Sequence, residues 1–175
     1  MARPRFHALV TVPVAWMATR RWGAAGAVGA IGGGLLIDVD HLIDYGWTKI
    51  SGKRTHYFAP LHGWELSLLL VAAAWWTRRE ARAAQAPPDS WVVSRGRVSS
   101  ALGSRGRSLA AGLTAGAALG SGIHLVQDVL TNRPEHLGTY LILFRAWHRF
   151  ERQAIGWGSH PDFQGWSGMP WHQWF

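Results

Sequence analysis

Five apolar stretches, separated by polar or basic segments, divide the chain into predicted helices. Strict apolar–polar alternation, which indicates half-buried strands, is scarce. The first stretch, MARPRFHALVTVPVAWMATRR, lacks a convincing signal-peptide cleavage site, so it is interpreted as a retained amphipathic or partly inserted helix. The pattern predicts an all-α fold, a compact membrane-associated bundle of about four or five helices.

The other four stretches differ in the side chains that accompany their apolar residues. The second, GAAGAVGAIGGGLLIDVDHLIDYG, is rich in glycine, which allows a neighbouring helix to approach closely. The third begins at Leu61 as LHGWELSLLLVAAAWW, and the fifth, LGTYLILFRAWHRF, is weaker. The fourth, SLAAGLTAGAALGSGIHLVQDVLT, is the longest and has roughly the length needed to cross a bilayer.

Length and composition favour one helical domain over residues 1–175, because 48% apolar residues can supply a single core. Within it we distinguish a basic, Arg-rich loop at 78–108 and a Trp-rich tail at 147–175. The absence of cysteine excludes disulfide frameworks, Cys-based zinc sites and thiol catalysis. Any metal must therefore be bound by His, Asp and Glu.

The net charge of +8 is concentrated between apolar stretches, where seven arginines fall between Arg78 and Arg107. An arginine-rich loop flanked by apolar segments is typical of the cytoplasmic side of a membrane protein. The loop lacks the interleaving of aromatic and basic residues expected of a single-strand binder, so a nucleic-acid partner is disfavoured. We expect a protein of the bacterial inner (cytoplasmic) membrane, with the basic loop on the cytoplasmic side and membrane lipid as a partner.

Ionisable side chains recur inside the apolar stretches, beginning with the run LLIDVDHLIDY at 35–45. Buried carboxylates need compensation by a cation, hydrogen bonds or a metal. The candidates are Asp38, Asp40, His41, Asp44, His62, Glu65, His124 and Asp128. Side chains of these types are ligands of divalent metals, and ionisable groups in apolar segments indicate functional sites.

The spacing of these residues predicts that three segments each present a histidine and a carboxylate on one face. His124 and Asp128 lie four residues apart, and Asp38 and His41 lie three apart, as do His62 and Glu65. Each element also has a simpler interpretation: a histidine–aspartate pair, an N-cap at Asp38, or a core histidine at position 62. The sequence contains neither an HExxH motif nor a complete EF-hand calcium loop.

These motifs resemble the membrane-bound metal-dependent hydrolase-like family, also described as LexA-binding, inner-membrane-associated hydrolases. The matching residues are His7, IDVDH ending at His41, LHGWE around His62, and HLVQDVLT beginning at His124. The resemblance extends to about residue 133. Ile37 replaces the family's proline, and LHGWE replaces its Thr-His-Ser step, for which His56 in THYF is a competing candidate.

The resemblance implies a metal-dependent hydrolase, and a more distant similarity to zinc-dependent phospholipase C implies a phosphoester or lipid-borne substrate. The expected ligands of one or two divalent ions, zinc favoured, are drawn from His7, Asp38, Asp40, His41, His62, His124 and Asp128. Asp44 or Glu65 is expected to act as general base or to orient a ligand.

Two alternatives remain open at this point. The same cluster, with a structural metal or with hydrogen bonds alone, can tie together the helices of a non-catalytic membrane protein. The basic loop alternatively suggests a DNA-associated regulator.

Overall fold

The helices of the chain were located in a computed structural model that describes residues 4–52, 56–83, 97–132, 136–151 and 153–156. The α-helices are α1 (Pro4–Leu35), α2 (Asp40–Ser51), α3 (Trp64–Ala83), α4 (Arg97–Asn132) and α5 (Ile142–Trp147), with 3-10 helices at Leu36–Val39 and Leu137–Tyr140. Within the described ranges there is no strand, only an isolated bridge between His56 and Glu151. The predicted all-α bundle is confirmed.

Helix α1 is folded back on itself at Gly23, whose backbone (φ 69°, ψ −165°) is not helical. Only glycine adopts such a conformation readily. The first limb, residues 4–22, runs antiparallel to the second limb, residues 24–35: Ala18 lies beside Gly26, and the Thr11 side chain lies beside Gly34. The two limbs correspond to the first two predicted helices, and the fold returns the start of the chain to the end of the second limb.

Helix α4 runs parallel to the second limb of α1, with the two backbones in direct contact. A Cβ atom added to Gly116 would overlap the carbonyl oxygen of Gly26, and one added to Gly120 would overlap that of Ala30. Small residues four apart on both helices permit this approach, as the glycine content of both stretches indicates. The parallel contact brings the end of α1 to the level of the last turns of α4.

Helix α3 packs antiparallel along another side of α4. Ser67 and Ser121 share a hydrogen bond of 2.9 Å between their hydroxyl oxygens, and Thr77 and Thr114 share one of 3.3 Å further along. Both α1 and α3 make extensive contact with α4, whereas their contact with each other is at most marginal. Helix α4 is therefore the central element of the bundle.

The two ends of the bundle have different chemistry as a result of these helix directions. One end collects the first residues of α1 and the residues that follow its second limb, together with the start of α3 and the end of α4. The opposite end, here called the arginine end, carries Arg20, Arg79 and Arg105. The basic segment predicted as a loop at 78–108 is helical up to Ala83 and again from Arg97.

Other predictions fall outside the described residues. These are the middle of the basic segment, residues 84–96, and the tail from residue 157 onward. By length and composition alone, two helical segments, His7–Ser51 and Arg105–Thr131, pass the test for a membrane span, and the first of them reverses direction at Gly23. Membrane association itself stays a prediction.

The backbone contact between α1 and α4 predicts that Gly116→Ala destabilises the protein. The new methyl group would overlap the Gly26 carbonyl oxygen, and separating the helices should cost about 1–3 kcal/mol of unfolding free energy. Gly122→Ala in the same helix is the matched control, because its Cβ meets no atom within 4 Å. That control should stabilise the helix by up to about 1 kcal/mol. Thermal unfolding of both variants measures the difference, and equal melting temperatures would contradict the contact.

Candidate metal centre

Four side chains from three separate elements point their donor atoms at one another at the end opposite the arginine end. The Nε2 atoms of His62 and His124 are 3.2 Å apart. Asp38 Oδ1 lies 3.4 Å from His62 Nε2 and 3.3 Å from His124 Nε2. Asp128 Oδ2 lies 3.3 Å and 3.4 Å from the same two nitrogens. We call these four donors the metal centre.

Five of the six donor–donor separations have the length of an edge of a coordination tetrahedron. Metal–ligand bonds of 2.0–2.1 Å at tetrahedral angles separate neighbouring ligand atoms by about 3.3–3.4 Å. Five pairs of donors in the metal centre have separations of 3.2–3.4 Å. The buried histidines and aspartates can therefore hold a metal ion, as the sequence predicted.

His124 is fixed by the end of α1. Its Nδ1 lies 2.9 Å from the carbonyl oxygen of Gly34, an atom that can only accept a hydrogen bond, so Nδ1 donates. The Nε2 lone pair consequently faces the centre. Helical spacing places Asp128 on the same side of α4, where both side chains are almost fully buried.

His62 is fixed by Asp40, a residue that was predicted as a ligand. Asp40 Oδ1 lies 2.7 Å from His62 Nδ1, while Asp40 Oδ2 accepts hydrogen bonds from the backbone N–H groups of Leu61 (2.7 Å) and His62 (2.9 Å). The fully buried Asp40 therefore lies behind the imidazole. A carboxylate in this position orients a ligand histidine, and it turns His62 Nε2 toward the centre.

His62 lies in a loop, residues 56–63, whose backbone is bound from two sides. On the α2 side, Asp44 Oδ1 accepts a hydrogen bond of 2.6 Å from Phe58 N, in addition to the two bonds to Asp40. On the other side, Arg145 of α5 donates from Nη1 to the Ala59 carbonyl (2.7 Å) and from Nη2 to the His62 carbonyl (2.9 Å). Arg145 is fully buried, and its guanidinium carbon lies 5.4 Å from the ring centroid of Tyr57.

Two further predicted histidines flank the metal centre. His7 Nε2 lies 3.5 Å from Asp128 Oδ1, and its ring stacks on that of His124 with centroids 4.0 Å apart. His41 Nε2 lies 3.7 Å from Asp38 Oδ1. The donors thus form two neighbouring groups, one of His7, His124 and Asp128 and the other of Asp38, His41 and His62. The metal centre takes two donors from each group.

The electrostatics of the centre favour positive charge at His62. Burial alone would lower the pKa of its imidazole, but hydrogen bonds with Asp128, Asp38 and Asp40 raise that pKa well above its ordinary value. The centre is also unevenly exposed. The Asp38 side chain is 26% exposed, whereas those of His62, His124 and Asp128 are at most 7% exposed. Asp38 therefore marks the side on which the centre approaches solvent.

Some predicted residues lie outside the converging groups. Asp44 binds the loop backbone, and Glu65 Oε1 accepts a hydrogen bond of 3.1 Å from Leu143 N. The competing histidine, His56, pairs with Glu151 in the isolated bridge, so His62 occupies the centre. Sequence reasoning missed Arg145. The only available signal was one arginine in an otherwise apolar part of the fifth stretch.

No family model matches the chain, and comparisons with curated proteins and with solved structures found no match. The geometry of the centre is consequently the basis for any assignment of function.

The contacts of Arg145 predict that it supports metal binding without being a ligand. Arg145→Met should weaken metal affinity by about 10–100-fold, because the carbonyls of the loop lose their partner and His62 loses its fixed position. Thr139→Val is the control, since it removes a buried hydrogen bond to Ile155 O in the same C-terminal segment. Competition with a chromogenic chelator measures affinity, and thermal unfolding measures the stability lost by each variant. Equal affinity losses in the two variants would refute a specific role for Arg145.

Proposed function

We propose that the chain is a membrane-associated, metal-dependent hydrolase that binds a divalent ion, zinc, at the metal centre. The observation that supports the proposal is the convergence of two imidazole nitrogens and two carboxylate oxygens from three elements, with five of their six separations equal to the edge of a coordination tetrahedron. Histidine and aspartate in a tetrahedral arrangement favour zinc over the larger, oxygen-preferring calcium ion. In this proposal Asp38, His62, His124 and Asp128 are the ligands, and Asp40 orients His62.

The chemistry that such an ion supplies is activation of water and polarisation of the scissile group. The more exposed side chain of Asp38 supports the approach of water and substrate from its side. The imidazoles of His7 and His41 flank the carboxylates and can exchange a proton with water bound between them. They take the general-base role that the sequence suggested for Asp44 or Glu65, because those two carboxylates bind backbone groups elsewhere.

The proposed substrate is a phosphoester, in particular one carried by a lipid. Its support is the resemblance of the histidine and aspartate motifs to membrane-bound hydrolases and, more distantly, to zinc-dependent phospholipase C. The surroundings of Asp38 agree with a lipid-borne substrate, because its neighbours Leu36 and Val39 are exposed apolar side chains. A lipid chain held by such a surface would bring its headgroup to the exposed side of the centre.

A structural metal centre is the second candidate. Structural zinc sites use four protein ligands, whereas catalytic sites usually use three and keep one position open. The metal centre supplies four protein donors, three of them almost fully buried. In this alternative, the ion joins the end of α1, the loop at 56–63 and the end of α4, and no reaction follows.

Metal content tests the centre directly. His124→Ala and Asp128→Ala each remove one donor and leave the others with an incomplete tetrahedron, so each purified variant should lose most of its bound metal. His136→Ala, which removes an exposed histidine outside the centre, should retain it. Elemental analysis of the full chain purified in detergent gives the metal-to-protein ratio. Full metal content in both centre variants would show that the metal centre is assigned incorrectly.

Metal removal separates the hydrolase from the structural alternative. Chelator treatment should abolish cleavage of a chromogenic phosphodiester while helical circular dichroism is retained, and added zinc should restore cleavage. Loss of helicity on chelation, with no cleavage by the metal-bound protein, would instead support a structural ion. The His136→Ala variant should behave as the wild-type chain in both measurements.

A further inference from the structure

Three helices carry exposed apolar stripes that end in arginine at the same end of the bundle. Along the first limb of α1, the stripe is Leu9, Val12, Trp16 and then Arg20. Along α3 it is Leu68, Val71, Trp75 and then Arg79. Along α4 it is Leu113, Leu109 and then Arg105. Positions three or four apart share a helix face, so each series is continuous.

The order of side chains along these stripes corresponds to the layers of a bilayer. Hydrocarbon accommodates aliphatic side chains, the interface favours tryptophan, and lipid phosphates attract arginine. Trp16 and Trp75 are each 61% exposed, and each is next to the guanidinium of its own stripe. The guanidinium carbon of Arg20 lies 5.2 Å from the Trp16 ring centroid, and that of Arg79 lies 5.7 Å from the Trp75 ring centroid.

The stripes lie on helices that are separated from one another, which disfavours a single protein partner as their cover. Helices α1 and α3 both pack along α4 but have at most marginal contact with each other. One partner molecule, or one second copy of the chain, would have to extend across both helices to cover both stripes. Lipid surrounds a bundle on every side, and the arginines at its end complement anionic lipid phosphates.

Helix α4 provides the length scale. Its exposed residues Leu109 and Leu130 are separated by about 32 Å along the axis at 1.5 Å per residue, close to the thickness of the hydrocarbon layer, about 30 Å. No Asp, Glu, Lys or Arg occurs between Ser108 and Gln127. Asp128 follows that interval, only two residues before Leu130.

We infer that the bundle spans a bilayer, with its arginine end among the anionic headgroups of one leaflet and its metal centre at the headgroup level of the other. This placement deepens the proposed function, since it puts the centre within reach of lipid headgroups, but it does not require that a metal be bound. The apolar stripes are the lipid-facing surface.

Single cysteines test this placement cleanly because the full chain contains none. Glu80→Cys reports on the arginine end, Gln153→Cys on the end that carries the metal centre, and Val12→Cys and Val71→Cys on two stripes. All four positions are exposed on the protein surface, Val12 by 68% and Val71 by 55%. Each variant is expressed in bacteria, and spheroplasts are prepared from the cells. The spheroplasts are treated with a membrane-impermeant maleimide before and after the membrane is opened.

The expected pattern has two parts. The Glu80 and Gln153 variants should be labelled from opposite sides, one in intact spheroplasts and the other only after opening. The Val12 and Val71 variants should react about tenfold more slowly than both, or not at all, until the protein is denatured in SDS, because hydrocarbon excludes the reagent.

Several outcomes would overturn the inference. Rapid labelling of both stripe positions would place the stripes in water, and protection of only one would indicate a protein partner. Labelling of both ends from the same side would place the protein on one surface of the membrane. Metal content is measured separately on the same variants, so a chain that binds metal but is not embedded would refute the placement and leave the proposed metal centre standing.

Discussion

The direct backbone contact between the second limb of α1 and α4 determines where the functional side chains lie. Because the two helices run parallel and Gly116 and Gly120 meet the α1 backbone, the end of α1 lies at the level of the last turns of α4. Asp38, which follows α1, and His124 with Asp128, near the end of α4, consequently meet. The hydrogen bond from His124 to the Gly34 carbonyl connects this helix contact directly to the orientation of a donor atom. Larger side chains at the glycines would separate the two halves of the metal centre.

The loop at 56–63 has no regular helix to satisfy its backbone, and its polar groups are divided between two neighbours. Three of its N–H groups donate to aspartates of α2, the N–H of Tyr57 donates to the Phe150 carbonyl, and two of its carbonyls accept from Arg145. Buried backbone groups that are satisfied in this way give the loop one well-defined conformation. His62 is thereby oriented before any ligand binds, at the cost of burying an arginine and two carboxylates. The C-terminal segment is part of the site although the family resemblance ends near residue 133.

The local parts of the site could be predicted from sequence because they depend on helical spacing. His124 and Asp128 share a face at four residues, and the apolar setting of LLIDVDHLIDY indicated an unusual cluster. The same reasoning could not separate Asp38 from Asp40. Two residues apart, they face different neighbours, and only the position of the 56–63 loop makes one a donor of the centre and the other a support for His62. Arg145 was missed for the same reason, since its partners lie more than 80 residues away.

The turn at Gly23 has a mechanical consequence for His7. His7 lies near the start of the first limb of α1. This limb is joined covalently to the rest of the described bundle through Gly23. That limb is a lever about 24 Å long between Gly23 and His7, so a rotation of about 5° at the pivot displaces the imidazole by about 2 Å. The packing of Val14, Ala15 and Ala18 of this limb against Ala30 of the second limb and against Leu119 and Ile123 of α4 must therefore fix an angle, and not only a distance. Among the histidines of the site, His7 is therefore the one whose position depends most on the angle of the chain at Gly23.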